Sequence, residues 1–189
     1  MNSLISYSNI ILAIWIVMVV YWVATAWGNK RTAYRFNPKW RLLGILLVPA
    51  LYLLFSSDSE FLRTRLFERT TPIMVFGTTA CAAGVAFAIW ARRTIGTNWS
   101  ANPTIKEGHE LVEFGPYRLV RHPIYSGLLL AVLGSALAGG EVRHAFIVLV
   151  AILAVSLKMR IEETLMMRQF PEAYADYRTR TKALIPFVI

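Results

Sequence analysis

The sequence predicts an all-α integral membrane protein with about five transmembrane helices, the last two forming a C-terminal hairpin. Three observations carry that prediction. The 189 residues are 56% hydrophobic and only 16% charged, against roughly 25% charged in ordinary soluble domains. Apolar runs long enough for a hydrocarbon core of roughly 30 Å recur along the chain. The basic residues gather in alternate connecting segments, the pattern of cytoplasmic loops. A net charge of +9 and a pI of about 10.1 are thereby accounted for by membrane topology, and no nucleic-acid partner is expected.

The first apolar run covers residues 4–27. Its Ala24-Thr25-Ala26 resembles a signal cleavage site, but no Lys or Arg precedes the run. The run also exceeds the length of a signal h-region, so an uncleaved helix is expected. Further helices are expected over 42–57, 72–91, 123–139 and 143–170. The second and fourth are short, a mismatch that flanking residues and close neighbours accommodate. Pro123 suits the first position of the fourth helix, where its missing N–H costs nothing. The pair Gly139-Gly140 should turn the chain back into the fifth. With no repeat or linker, residues 1–189 read as one domain.

When the connecting segments are taken alternately, 16 of the 20 Lys and Arg fall on one side and 4 on the other. Five spans then place the N-terminus outside and the C-terminus in the cytoplasm. The longest hydrophilic connection, 92–122, lies on the cytoplasmic side and carries Gly96, Gly108, Gly115, Pro103 and Pro116 as turn formers. Long connections of this kind are commonly functional, and this one is expected to form a lid or pocket wall.

Within and just after it, Gly115 to Gly127 reads GPYRLVRHPIYSG. Arg118, Arg121 and His122 beside apolar spans are costly unless paired or functional. Equal lengths counted from the Gly139-Gly140 turn place His122 beside about residue 158, at 1.5 Å per residue on both helices. Lys158, Arg160, Glu162 and Glu163 are thus expected near Arg121 and His122. Gly127, Ala131, Gly134 and Ala138 form a small-residue stripe, expected to permit tight packing of the hairpin. Free N–H groups at the start of the fourth helix would favour an anionic ligand group, and the two glutamates a cationic one. The bland alternative, a snorkelling rim, suits Lys158, Arg168 and the basic residues of 30–41. Cys81 stands alone in an apolar run, and His109, His122 and His144 have no metal-site spacing, so no metal is expected.

At these residues the sequence resembles the isoprenylcysteine carboxyl methyltransferase family, integral-membrane enzymes related to the phospholipid methyltransferases. The matching residues are Gly96, Asn98-Trp99-Ser100, His109 to Val112 (HELV), GPYRLVRHPIYSG, Glu162-Glu163, and FPEAYADY (Phe170 to Tyr177) before Pro186. The resemblance implies S-adenosylmethionine as cofactor, bound by His109, Glu110, Leu111, Val112, Tyr117, His122, Pro123, Ile124, Tyr125 and Glu162, with Asn102 a weaker candidate. The family's substrate-side arginine falls near Lys158 or Arg160. Arg121, Arg160 or Lys158 is then expected to orient the acceptor, a prenylated cysteine carboxylate or similar lipid-linked acid. A soluble methyltransferase would show a strand pattern and a GxGxxG turn, and this chain has neither. Two other readings are N-methylation of a phospholipid amine and a non-enzymatic membrane binding or transport protein. The last would place ionisable groups at mid-span, whereas here they gather at one edge.

Overall fold

The computed structural model describes residues 2–26, 32–35, 53, 56–100 and 104–186. Its first helix, α1, runs Asn2–Ala24 without an interior breaker. A short strand β1 (Thr32–Arg35) follows, then a single turn α2 (Glu60–Arg63) and the long α3 (Thr71–Ile95), with Pro72 in its first turn. The strand β2 (Thr104–Lys106) precedes α4 (Pro123–Gly139), α5 (Val142–Gln169) and α6 (Pro171–Arg180). The helix expected at 42–57 lies almost wholly outside the described residues.

Tyr7–Ala24, α3 with its trailing turn to Asn98, and α5 are each long and apolar enough to cross a membrane. The 17 residues of α4 reach about 25 Å at 1.5 Å per residue, short for a span. The outer faces confirm the solvent these helices are built for. Leu12, Val17 and Val20 of α1 are 59%, 59% and 60% exposed, which in water would form a costly apolar surface and in lipid is neutral. The chain is an integral membrane protein.

Packing centres on α3 against α4. The small-residue stripe of α4 faces α3, not α5 as expected from the hairpin. A Cβ on Gly84 would stand 2.5 Å from both Ala131 N and Gly127 O, and one on Gly77 would stand 2.6 Å from Gly134 O. Two matching rows of small residues therefore let the backbones touch, the means by which helices associate in lipid. Sequence adjacency pointed to α5, but the complementary glycines lie in α3. Ile11, Ile14, Trp15 and Met18 of α1 cover the seam around Cys81, Val85 and Ala131.

The α4–α5 turn forms where Gly139-Gly140 predicted it. Gly140 takes φ +69°, the left-handed conformation that glycine adopts freely. Glu141 and His144 then form a reciprocal capping box that starts α5. Residues 64–70 close over this turn, with Leu66 N donating to Gly140 O (2.9 Å) and Val142 N to Thr64 O (3.0 Å).

One feature departs from the all-α expectation. β1 and β2 pair antiparallel, Tyr34 opposite Ile105 and Arg35 opposite Thr104. Strands this short give too little alternation to register as a pattern. The helix expected over 143–170 is found as Val142–Gln169, and a separate α6 starts at Pro171, because Pro171 offers no N–H to continue the ladder.

Candidate active site

The site forms where α4 begins and α5 ends, and its geometry starts with Pro123. That residue opens α4 and is buried, which holds His122 at the N-cap and directs Ile124, Tyr125 and Leu128 along one wall of a cavity. Across it stand Lys158, Glu162, Leu165 and Met166 of α5. The third wall is supplied by Asn98, Trp99, Thr104 and His109 to Val112. Trp22 of α1 and Tyr174 and Tyr177 of α6 complete the lining. The enclosed part is about 200 Å³ and open on one side.

Glu162 is the acidic centre of this cavity. Tyr125 Oη donates to its Oε1 at 2.7 Å, Lys158 Nζ lies 4.0 Å from Oε1, and His122 Nδ1 lies 3.8 Å from Oε2. His122 stacks on the Tyr125 ring at 5.6 Å between centroids. Lys158 Nζ sits 5.4 Å over that ring, so the ring face and the carboxylate together form a place for a cation.

Glu163 does different work. It takes a 2.8 Å bond from Arg121 Nε and lies 3.7 Å from Arg178 Nη2 and 3.5 Å from His122 Nε2. Adjacent residues on a helix differ by about 100° in direction, which is why Glu162 faces the cavity and Glu163 ties α5 to Arg121 and α6. Arg121 also donates to the carbonyls of Thr181 and Arg178. It borders the cavity with its guanidinium largely committed to holding the corner.

The residues after α6 act as a strap. Arg121 N donates to Lys182 O (2.8 Å), His122 N to Ala183 O (3.0 Å), and Ser126 Oγ to Leu184 O (2.6 Å). The N–H groups of Arg121 and His122, just ahead of α4, are thereby bonded to carbonyls of the chain itself. Tyr177 Oη donates to Tyr117 O at 2.5 Å. Burial, with Glu162 nearby, pushes the Tyr117 phenol well above its ordinary range. The Tyr177 phenol is pushed up to about 12, chiefly by burial. Both remain protonated donors at neutral pH.

The turn from Gly96 to Trp99 is anchored by Arg92, only 3% exposed. Its Nη1 donates to Gly96 O and its Nη2 to Thr25 O, each at 2.8 Å, and its guanidinium lies 4.4 Å over the Trp99 ring. Trp99 in turn meets Trp22 edge to face at 6.5 Å. One buried arginine thus fixes the ends of α1 and α3 and the aromatic wall beside them.

Of the expected site residues, His109, Glu110, Leu111, Val112, Tyr117, Arg121, His122, Ile124, Tyr125, Lys158 and Glu162 line one cavity. Pro123 is buried at the start of α4, behind the wall it sets. Arg160 is exposed and does not line the cavity, because two residues beyond Lys158 a helix has turned about 200°. Asn102 lies outside the described residues. The hairpin register is displaced by about one helical turn from equal counting, since His122 meets Glu162 and Glu163 where residue 158 was expected. Trp22 and Thr104 carried no signal in the sequence, being a span residue and a loop residue far from the motif.

Two buried polar atoms on the cavity residues, Asn98 Oδ1 and Thr104 Oγ1, have no hydrogen-bond partner among the described residues, while His122 Nε2 faces Glu163 Oε1 at 3.5 Å. Orphaned buried groups cost free energy unless something satisfies them. With Glu162, they suit a ligand that brings both hydrogen-bonding groups and a positive charge. The aromatic and aliphatic walls suit a flat or apolar part of the same ligand.

Fold and site together define a helical membrane protein with a polar ligand cavity at one end of its hairpin. Residues 72–173 match the phospholipid methyltransferase family, over half of the chain, and the protein belongs to that family of membrane methyltransferases. It is 34% identical over 95 residues to the nickel-cobalt-cadmium resistance protein NccN of Alcaligenes xylosoxydans xylosoxydans. It is 35% identical over 95 residues to the cobalt-zinc-cadmium resistance protein CzcN of Cupriavidus metallidurans. Each match covers 49% of this chain and 44% of the relative, so the chain spans less than half the length of these curated relatives.

Proposed function

We propose that the protein uses S-adenosylmethionine to methylate a carboxylate on a lipid-linked acceptor, an isoprenylated cysteine or a similar acid. The observation that carries this reading is the single cavity in which His122, Tyr125, Glu162 and the orphaned atoms of Asn98 and Thr104 meet. Bound there, S-adenosylmethionine supplies an electrophilic methyl group on a sulfonium sulfur. Glu162, fixed by Tyr125, accepts from its ammonium group. His122, Asn98 and Thr104 satisfy its remaining polar groups, and Trp22, Trp99 and Leu128 shelter its apolar part.

The acceptor needs no general base, because a carboxylate is already ionised at neutral pH. What the protein contributes is alignment and exclusion of water. Lys158 is the cation placed to orient the acceptor: it lines the cavity, and Arg121 is committed to Glu163. The cavity lies at the edge of the apolar spans, so a polar cofactor and a lipid tail reach it from opposite directions. The excess of basic residues on that side supports a cytoplasmic site.

A second reading, N-methylation of a phospholipid amine, is favoured by one observation. The Tyr125 ring face and Glu162 already accommodate the Lys158 ammonium and would accommodate another. The metal-resistance names of the two relatives lead elsewhere, but the three histidines serve separate places. His109 packs near Phe170, His122 lies in the site and His144 caps α5.

The purified protein is to be offered prenylcysteine, fatty acid and phosphatidylethanolamine with methyl-labelled S-adenosylmethionine. Label on the acidic acceptors is expected, with Lys158→Ala raising the acceptor KM about tenfold and Arg160→Ala changing nothing. Label on phosphatidylethanolamine alone selects the amine reading. Cofactor binding without label on any acceptor selects a binding protein.

A further inference from the structure

A second cavity, about 350 Å³, lies at the opposite end of the helices from the candidate active site. Ile11, Leu12 and Trp15 of α1, Val132 and Ala136 of α4 and Ile147 of α5 make it apolar along its length. Its deeper polar groups satisfy one another, with Trp15 Nε1 donating to Ser135 Oγ at 3.0 Å and Ser135 Oγ to Ala131 O at 2.8 Å. At the other end Arg69 supplies the positive charge, beside the His144 ring.

Both side chains are set in place by the glycine turn. A Cβ on Gly139 would run into the His144 ring, and one on Gly140 would stand 3.3 Å from Arg69 Cγ. Arg69 Nε donates to Ala138 O at 2.9 Å, which caps α4. A single bond from Nε leaves four guanidinium N–H donors, and the two terminal nitrogens have no hydrogen-bond partner among the described residues. The neighbouring cations differ: Arg143 pairs with Glu141 at 2.6 Å and Arg63 with Asp58. Capping alone accounts for the Nε bond but not for a guanidinium whose terminal nitrogens have no partner among the described residues at the mouth of an apolar slot.

We infer that this cavity is a lipid-binding site, in which Arg69 grips the phosphate of an anionic phospholipid while one acyl chain lies along Ile11, Trp15, Val132 and Ile147. The charge selects the head group and the apolar walls the tail. Arg69 stands two residues before α3 begins, the depth at which a helix leaves hydrocarbon and lipid phosphates lie. Arginine matches phosphate oxygens with paired donors.

Trp15 reports occupancy. Phosphatidylglycerol brominated in its chains is titrated into protein held in neutral detergent, and the difference between wild type and Trp15→Phe isolates the quenching at that residue. Saturable quenching by brominated phosphatidylglycerol is expected, with brominated phosphatidylcholine weaker by about tenfold. Arg69→Gln should weaken the anionic lipid by about tenfold, Arg69→Lys should retain most of the preference, and Ala136→Phe should abolish quenching by filling the slot. Methyl transfer at the other cavity in detergent reports that each variant is folded. Equal quenching by both lipids, or an unchanged response in folded Arg69→Gln, overturns the assignment. Displacement by inorganic phosphate alone at matched concentration overturns the commitment to a lipid.

Discussion

The close approach between α3 and α4 yields a prediction that can be worked from distances. Gly84→Ala would place a Cβ 2.5 Å from Ala131 N and Gly127 O, where ordinary contact begins at 3.4 Å. Both atoms belong to the backbone of α4, so neither can rotate aside, and the helices must separate by about 0.9 Å. Overpacking of this kind costs about 1–3 kcal/mol, and the backbone conflict puts it toward the upper end. Alanine regains about 1 kcal/mol of helix propensity over glycine, leaving a net loss of about 1–2 kcal/mol. For a chain of this size that lowers Tm by roughly 2–8 °C. His122 and Tyr125 move with α4, and a displacement of about 1 Å reduces methyl transfer by up to about 100-fold. Thermal unfolding in detergent and a labelled-methyl assay measure both effects. Ala83→Leu adds more volume at an exposed position of the same helix and should leave both unchanged. If Gly84→Ala matches wild type in Tm and in turnover, the assignment of the α3–α4 seam as the support of the site is wrong.

Two further outcomes follow from the strap and its neighbours. Ending the chain after Thr181 removes the bonds from Arg121 N, His122 N and Ser126 Oγ to residues 182–184, about 3 kcal/mol in all at about 1 kcal/mol each. Hydrogen exchange at the Arg121 and His122 amides should accelerate by about 100-fold, and protection equal to the full chain would refute the strap. Tyr177 has a folded pKa of about 12 against an unfolded value of roughly 10. Its contribution to stability is therefore full below about pH 10 and lost as pH rises through 12. Tyr177→Phe should lose the bond to Tyr117 O and flatten that part of the pH–stability curve, and an unchanged curve would count against it.

Much of this arrangement was legible in the sequence for physical reasons. Apolar length alone locates α1, α3 and α5, because lipid demands it, and Gly139-Gly140 locates the turn because few other residues tolerate its backbone. The run from Gly115 to Gly127 stood out because charge beside hydrocarbon needs a purpose, and Arg121 and His122 do meet Glu162 and Glu163. Long-range pairing was not legible. The complementary glycines of α3 could not be matched to α4 from spacing alone, nor could Lys182 to Leu184 be paired with the start of α4. The division of labour between Glu162 and Glu163 depended on which way one residue of helix rotation faced. Arg92 read as an ordinary cytoplasmic cation, whereas its burial against Trp99 anchors a wall of the site. Arg69 and His144 gave no site signal because their setting is created by the turn that brings them over a cavity.

The most direct test of the central claim is calorimetric titration of S-adenosylmethionine into the purified protein, its His122→Ala variant and its Glu162→Ala variant. Wild type should bind one equivalent, and both variants should lose binding while inserting and purifying normally. Full binding by both variants would contradict the assignment of this cavity as the cofactor site.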